Sequence, residues 1–398
     1  MSVLTAMPEV LGDPFSMDEI SHPGRIDAHI RESGDLVHLS EYGLVATGRH
    51  EVCREILRNW KAFTSTGGTG IHDIRKGDAW RVPSIILDTD PPDHNRARGV
   101  LNEILSLRAL DDFKRDTEAK ADEIVLALVQ KGRFDAAQEI GQALPMAVFP
   151  DAVGVQQDGR EHLLRYASLN FNSLGPRNTI WAAAEREARD SVAWVSEQCA
   201  RDSLAPGGFG AAIYAYADAG TLTEDEAGLM VRTFLSAGLD TTIYGIGNAI
   251  RALAENPDQW ALLRADPGLA ASAFEETLRL HPPSHLVGRT VTDDVTFRGV
   301  DLPKDSKLLL FIAAGNRDPR AYDRPDAFEI TRPPRGHLSF GVGVHGCVGQ
   351  VVARIEGAAA LSALARHVKT IELAGTPEFR HANWLRGHAR LPVNVTPA

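Results

Sequence analysis

Strict alternation of apolar and polar residues is confined to short runs along this chain. LVHLS (36–40) and GLVAT (43–47) flank Glu41-Tyr42 and predict a small hairpin, while VTFRGV (295–300) and KLLLFIAA (307–314) predict two later strands. From about residue 90 to residue 280 the apolar positions recur with helical spacing, interrupted at Pro145, Pro150, Pro176, Pro206 and Pro257. That series opens with Asp90 as N-cap and Pro91 in the first helical position. The stretch before it, 62–90, is rich in Gly, Thr, Asp and Pro, an irregular segment of the kind that covers a binding site or stays mobile. Regular βα alternation is missing, so the pattern predicts a mainly α fold with small β-sheets, and no linker-like stretch divides residues 1–398 into more than one domain.

One helix stands out. Thr223 and Glu226 form a capping box and Asn256-Pro257 a stop, which predicts a single element of about 30 residues spanning roughly 45–50 Å. Only Arg232 and Asp240 carry charge between 227 and 250, so this helix is expected to be buried nearly all round. Gly238, Gly245 and Gly247 each cost up to about 1 kcal/mol relative to alanine, a sign that something approaches the backbone closely.

The 398 residues are 43% apolar and 24% charged, proportions of a soluble globular protein with a large core. Asp and Glu outnumber Lys and Arg by 53 to 42, and the net charge of −11 sets the average field against nucleic acid and anionic lipid. Cys53, Cys199 and Cys347 are widely spaced with no CxxC, which argues against a disulfide framework or a structural zinc site and fits a reducing cytoplasm. No basic n-region precedes an apolar h-region near the N-terminus, and the polar residues within 233–250 make membrane insertion costly. Neither a nucleic-acid nor a membrane partner is expected.

Phe340-Gly-Val-Gly-Val-His345-Gly-Cys347-Val-Gly349 delivers a single cysteine ahead of an apolar helix predicted from about 348 to 367. Glycines before the sulfur free backbone N–H groups to point at it, and a helix N-terminus favours a thiolate, so Cys347 is either a nucleophile or a metal ligand. Glu276 and Arg279 form an i,i+3 pair flanked by Phe274, Leu278 and Leu280; a buried pair needs a further partner, for which Arg332 is a candidate. Thr241 either bonds back to the carbonyl four residues earlier or, beside Asp240, serves proton delivery. His94 and Arg98, one turn apart, either line a solvated face or meet one anion together.

Together these residues resemble the cytochrome P450 family. Its haem-binding signature FxxGxxxCxG is matched by Phe340, Gly343, Cys347 and Gly349, its ExxR pair by Glu276 and Arg279, and its oxygen-activation segment AGxxTT by Ala237, Gly238, Thr241 and Thr242, with Asp240 as the acid. The resemblance implies a single-domain P450 fold that binds haem b, iron protoporphyrin IX, through Cys347. It places His94, Arg98, Arg289 and His345 on the haem carboxylates, Asp240 and Thr241 in the activation of dioxygen, and Glu276, Arg279 and Arg332 in a structural network. It also implies electrons from NADH by way of a two-iron two-sulfur ferredoxin and its reductase, with Arg354 and Arg366 as candidates for the docking patch.

WRVPSIILDTDPP (80–92), FPDAVGV (149–155), LAPGGFGA (204–211), LVGRT (286–290) and VHGCVGQVVAR (344–354) extend the likeness over nearly the whole chain, to bacterial P450s that oxidise para-substituted benzoates. That likeness implies that Arg81, Ser84, Arg232 and Thr233 meet a substrate carboxylate, for which arginine is the best donor. Arg232 read by itself equally reaches water or pairs with a structural acid. Leu87, Phe171, Leu174, Ser236, Ala237, Ser284 and Val287 would line the rest of the pocket. Leu174 and Val287 stand where those relatives carry phenylalanine, and Ser284 where an apolar residue is usual, which implies a larger or differently shaped cavity.

The expected reaction is oxidative O-demethylation of 4-methoxybenzoate-like acids. Hydroxylation of alkylbenzoates and epoxidation of vinylbenzoates or cinnamates in the same pocket are the alternatives. A haem-thiolate binding protein without turnover shares Cys347 but gives Asp240 and Thr241 no purpose, and a cysteine hydrolase would have only His345, two residues from Cys347, as its base. The protein is expected to be a cytoplasmic monomer.

Overall fold

Strand-forming residues collect in a six-stranded sheet in the computed structural model, which describes residues 7–77, 80–333 and 336–398. In chain order its strands are β1 (Glu9–Val10), β2 (Val37–Leu39), β3 (Leu44–Thr47), β4 (Phe63–Thr64), β5 (Leu286–Val291) and β6 (Lys307–Phe311), joined laterally as β1-β2-β3-β6-β5-β4. The hairpin expected at 36–47 is β2-β3, antiparallel with Val37 opposite Ala46 and Leu39 opposite Leu44. The apolar run 307–314 begins as β6, antiparallel to β5, but turns helical at Ile312–Gly315. VTFRGV is not one strand: it spans the turn of a hairpin with arms Val295–Phe297 and Val300–Leu302. Arg298 and Gly299 take φ of +52° and +77°, the left-handed pair that a two-residue turn between twisted strands requires.

The helices that frame the site are α1 (Asp93–Ile104), α2 (Asp111–Val129), α3 (Glu161–Asn172), α4 (Glu224–Ala237), α5 (Asp240–Glu255), α6 (Ala270–Leu280) and α7 (Gln350–His367). α7 packs against α2 and α6, so closely that a Cβ on Gly357 would lie 2.5 Å from the Phe274 ring. α1 starts later than expected, with Pro92 at its N-cap, because the Asp90 carboxylate is bonded to Thr64 and His345 instead of capping the helix. Pro150 lies inside the helix Ala143–Val153 instead of ending one; near the last turn it sacrifices a single i→i−4 bond.

The long helix expected between 223 and 256 is two helices. Its capping box is present, the Thr223 hydroxyl accepting from the Glu226 N–H and the Glu226 carboxylate from the Thr223 N–H. The run then breaks at Gly238 and Leu239, where Phe149 presses so close that a Cβ on residue 238 would lie 2.4 Å from its ring. Asp240 therefore heads its own helix, α5, in the first turn where the helix dipole favours an acid.

α7 also buries a carboxylate. Glu356 is 0% exposed, and its carboxyl lies beside Thr242 of α5. Burial pushes its carboxyl up to about 8, with Thr242 the one group opposing the rise. A folded-state value above the unfolded one means that the neutral acid costs little, and that a penalty grows as pH rises through the window between the two values. Glu356→Gln is therefore expected to raise the thermal unfolding midpoint at about pH 9 and to change it little at about pH 5, a difference worth a few kcal/mol. Unfolding scans at the two pH values check this; an equal offset at both would contradict it.

Candidate active site

The loop 340–349 is folded onto itself ahead of α7. The Phe340 carbonyl accepts the Cys347 N–H at 2.7 Å, and the Gly343 carbonyl accepts that of Gly346 at 3.1 Å. Gly343 is needed twice over: its φ is +80°, and a Cβ there would lie 2.9 Å from the Leu57 carbonyl. Phe340 carries the Arg354 guanidinium over its ring at 4.5 Å. Cys347 keeps an exposed side, while the loop and α7, with Gly349 at its N-cap, enclose the others. That enclosure pushes the thiol up, opposed by the N–H groups of Gly349 and Gln350 and by the charges of Arg98 and Arg354.

Four cations and imidazoles gather beside this loop. Arg98 of α1 donates to the Gly346 carbonyl at 2.5 Å and to that of Val344 at 3.4 Å. The His94 ring meets His345 edge-on at 4.6 Å, and His345 Nε2 is 2.7 Å from Asp90 Oδ1. Arg289 on β5 is buried and donates to the Gly288 carbonyl; burial pulls it down to about 10, against the pull of Asp90. His94 is 1% exposed with neither ring nitrogen bonded, and burial, followed by the charges of His345 and Arg98, lowers its pKa. Buried donors in excess around a single carboxylate need further anions. The two propionates of a haem supply them, so these residues fit that group: Cys347 would hold its iron, and His94, Arg98, Arg289 and His345 its carboxylates.

Behind the loop, Glu276 and Arg279 of α6 form a buried pair, 3% and 2% exposed, joined at 2.7 and 2.8 Å. Arg332 Nε completes the expected triad at 3.0 Å from Glu276, and the Glu329 N–H adds a fourth contact at 3.1 Å. Arg279 also donates to the carbonyls of Asn316, Pro325 and Ala327, which ties α6 to the segment leading into the cysteine loop.

Comparison with known proteins shows the family to which the chain belongs. A family model described as Cytochrome P450 matches residues 268–379, the span that holds Glu276, Arg279, Arg332 and Cys347. Over 98% of its length the chain is 45% identical to "Cytochrome p450 CYP199A2" of Rhodopseudomonas palustris, of which 95% is covered. The chain is a cytochrome P450. It is also 32% identical to "Vitamin D(3) 25-hydroxylase" of Pseudonocardia autotrophica, over 79% of each protein. Its fold matches the crystal structure of CalO2 with a TM-score of 0.85 at 27% identity, covering 97% of this chain and 99% of that one. Membership makes this P450 a haem-dependent monooxygenase that consumes dioxygen, draws electrons from a redox partner and acts on a small molecule. Among the described residues no helix is long and apolar enough to cross a membrane.

At the break between α4 and α5 this P450 carries its buried acid. Asp240 is 5% exposed, and burial pushes its carboxyl up to about 7, opposed by Arg380. Near neutral pH such a group both holds and releases a proton. The Thr241 hydroxyl donates to the Ala237 carbonyl at 3.0 Å, so of the two readings of this residue the structure shows the back-bond. Its oxygen lone pairs remain available as acceptors.

The expected carboxylate-binding residues converge. Ser84 Oγ lies 3.2 Å from Thr233 Oγ1, and Arg232 donates to the Val82 carbonyl at 2.7 Å, so segment 81–88 is fastened across α4. Arg81 is not a free cation: its Nη1 donates to Asp88 Oδ2 at 2.8 Å, and the Ser84 N–H reaches the same oxygen at 2.7 Å. Leu87 donates its N–H to Ser84 Oγ at 3.2 Å, and Ser236 Oγ bonds the Thr233 carbonyl at 3.2 Å. Leu174 lines an opening shared with Trp80, Arg81 and Asp88, and Phe171 packs in the same cluster as Leu174. Val287 packs against the cluster that holds Phe63 and Leu310, and Ser284 is bridged to Leu385.

Three functional candidates escaped sequence reading. Asp88 and Arg81 are seven residues apart in an irregular segment, where no periodicity reveals a pair. Tyr166 of α3 meets Trp80 edge-on at 5.8 Å and feels the charges of both Arg81 and Arg232, a long-range meeting with no local signal. Asp90 was legible as an acid before a proline, but as a helix cap and not as the partner of His345. The docking patch expected at Arg354 and Arg366 is largely neutralised, because Glu275 takes Arg354 at 2.6 Å and Asp122 takes Arg366 at 2.8 Å.

Proposed function

We propose that this P450 oxidises the para substituent of benzoate-type acids, chiefly by removing the methyl group of 4-methoxybenzoate-like substrates. The observation that carries this reading is the convergence of Arg81, Ser84, Arg232 and Thr233 where segment 81–88 crosses α4. A benzoate leaving water for an apolar pocket needs charge-assisted bonds at its carboxylate, and two arginines with two hydroxyls supply them. Holding the acid end there points the para substituent away from the arginines, towards the reacting centre, so orientation selects the position oxidised. Bound at Cys347, a haem supplies the cleavage of dioxygen and the oxidising power. Asp240 holds a proton within a buried setting and passes it inward, and Thr241 oxygen accepts it along the way. One oxygen atom enters a methyl C–H bond and the other leaves as water with two electrons and two protons; the hemiacetal so formed separates into a phenol and formaldehyde. Electrons come from NADH through a reductase and a two-iron two-sulfur ferredoxin, and the enzyme works as a cytoplasmic monomer.

Arg81→Ala is expected to weaken binding of 4-methoxybenzoate about 10- to 100-fold, the worth of a charge-assisted bond, and to leave its neutral methyl ester within about twofold. Titrations that follow the haem spin state measure both. Equal losses for acid and ester would overturn the proposed contact.

A further inference from the structure

We propose that Asp88 sets the charge of the head group this P450 accepts, selecting monoanionic carboxylates over dianionic phosphate monoesters. The inference rests on the carboxylate reading above and names what that site rejects. Asp88 has a side chain that is 0% exposed, fixed by Arg81 at 2.8 Å and by the Ser84 N–H at 2.7 Å. Its second oxygen, Oδ1, is buried with no partner. An anion held by Arg81 and Ser84 is therefore held next to the carboxylate of Asp88.

Among the described residues that line the opening beside Arg81, Asp88 is the only carboxylate; His72 and Arg177, the latter stacked on Trp181 at 4.2 Å, line the same space. Asp88 offsets the positive charge of Arg81, in a subsite whose other nearby guanidiniums are Arg232 and Arg177. Its repulsion scales with the charge of the ligand, so a dianion feels it twice as strongly as a carboxylate and a neutral molecule hardly at all. The ion pair thus does more than orient Arg81: it removes part of the extra attraction that a second negative charge on the ligand would gain.

The test is a spin-state titration of the haem-loaded enzyme with 4-ethylbenzoate, its methyl ester and 4-ethylphenyl phosphate. It is run at about pH 8, where a phosphate monoester with a second pKa near 6 is a dianion. Asp88→Asn keeps the shape and an acceptor for the Ser84 N–H. It is expected to tighten phosphate relative to carboxylate by about tenfold, or 1.4 kcal/mol, with the ester unchanged within about twofold. Arg81→Ala, which leaves Asp88 unopposed, is expected to move the same ratio the other way, and it serves as the test if the asparagine variant does not fold. A phosphate-to-carboxylate ratio that stays within about twofold of wild type in either variant overturns the proposal. So does an ester that shifts along with the acids, which marks a structural effect. Failure of the carboxylate reading itself looks different: none of the acids would then shift the spin state of the wild-type enzyme.

Discussion

Serine at position 347 is expected to abolish monooxygenase turnover while leaving the chain folded. The loop does not depend on the sulfur: it is held by the Cys347 N–H on the Phe340 carbonyl, by Gly346 on Gly343 and by Gly341 on Leu338, all backbone contacts that serine keeps. What serine cannot supply is a thiolate. A hydroxyl stays protonated at the N-terminus of α7, where backbone N–H groups and two arginines favour an anionic sulfur. The expected result is a native circular dichroism spectrum with a reduced, carbon-monoxide-bound spectrum that has lost its haem-thiolate band. A Cys347→Ser protein that keeps both that band and its turnover contradicts the assignment.

Glu276→Gln is expected to be the most destabilising single change near the site. Glu276 carries the charge opposite Arg279 and Arg332 and also accepts the Glu329 N–H, all at a position 3% exposed. Removing one member of a buried ion pair leaves the others uncompensated and costs about 3–5 kcal/mol, a large share of the ~5–15 kcal/mol that holds a domain together. The cost falls on the segment that leads into the cysteine loop, because Arg279 ties α6 to the carbonyls of 316, 325 and 327. Little haem-loaded protein should be recovered, and what is recovered should unfold well below wild type in denaturant titrations. An unchanged unfolding midpoint and haem content would show that the network is dispensable.

The parts of the fold that were legible were those with local causes. A capping box, a short hairpin and an i,i+3 pair are decided by neighbours in sequence, and each stands where its pattern put it. Cys347 was legible because glycines, a cysteine and a helix start lie within ten residues. The break before Asp240 was not, since it is imposed by Phe149, some 90 residues away, pressing on Gly238. Asp90 misled because an acid before proline is a sound cap signal that a tertiary partner, His345, outbid. Asp88 shows the same limit: the family resemblance brought Arg81 to notice, whereas its pairing with a buried acid is a fact of packing. Glu356, in a helix of small apolar residues, gave no sign that its carboxylate lies fully buried beside Thr242.

The proposed reaction is tested by its products. Purified enzyme supplied with NADH, a two-iron two-sulfur ferredoxin and its reductase is incubated with 4-methoxybenzoate, and separately with 3-methoxybenzoate, while phenol and formaldehyde are quantified. The result expected is equal amounts of 4-hydroxybenzoate and formaldehyde from the para isomer, and far less of either product from the meta isomer. NADH consumption with no 4-hydroxybenzoate, or equal conversion of the two isomers, would contradict a pocket that grips the acid and presents the para group.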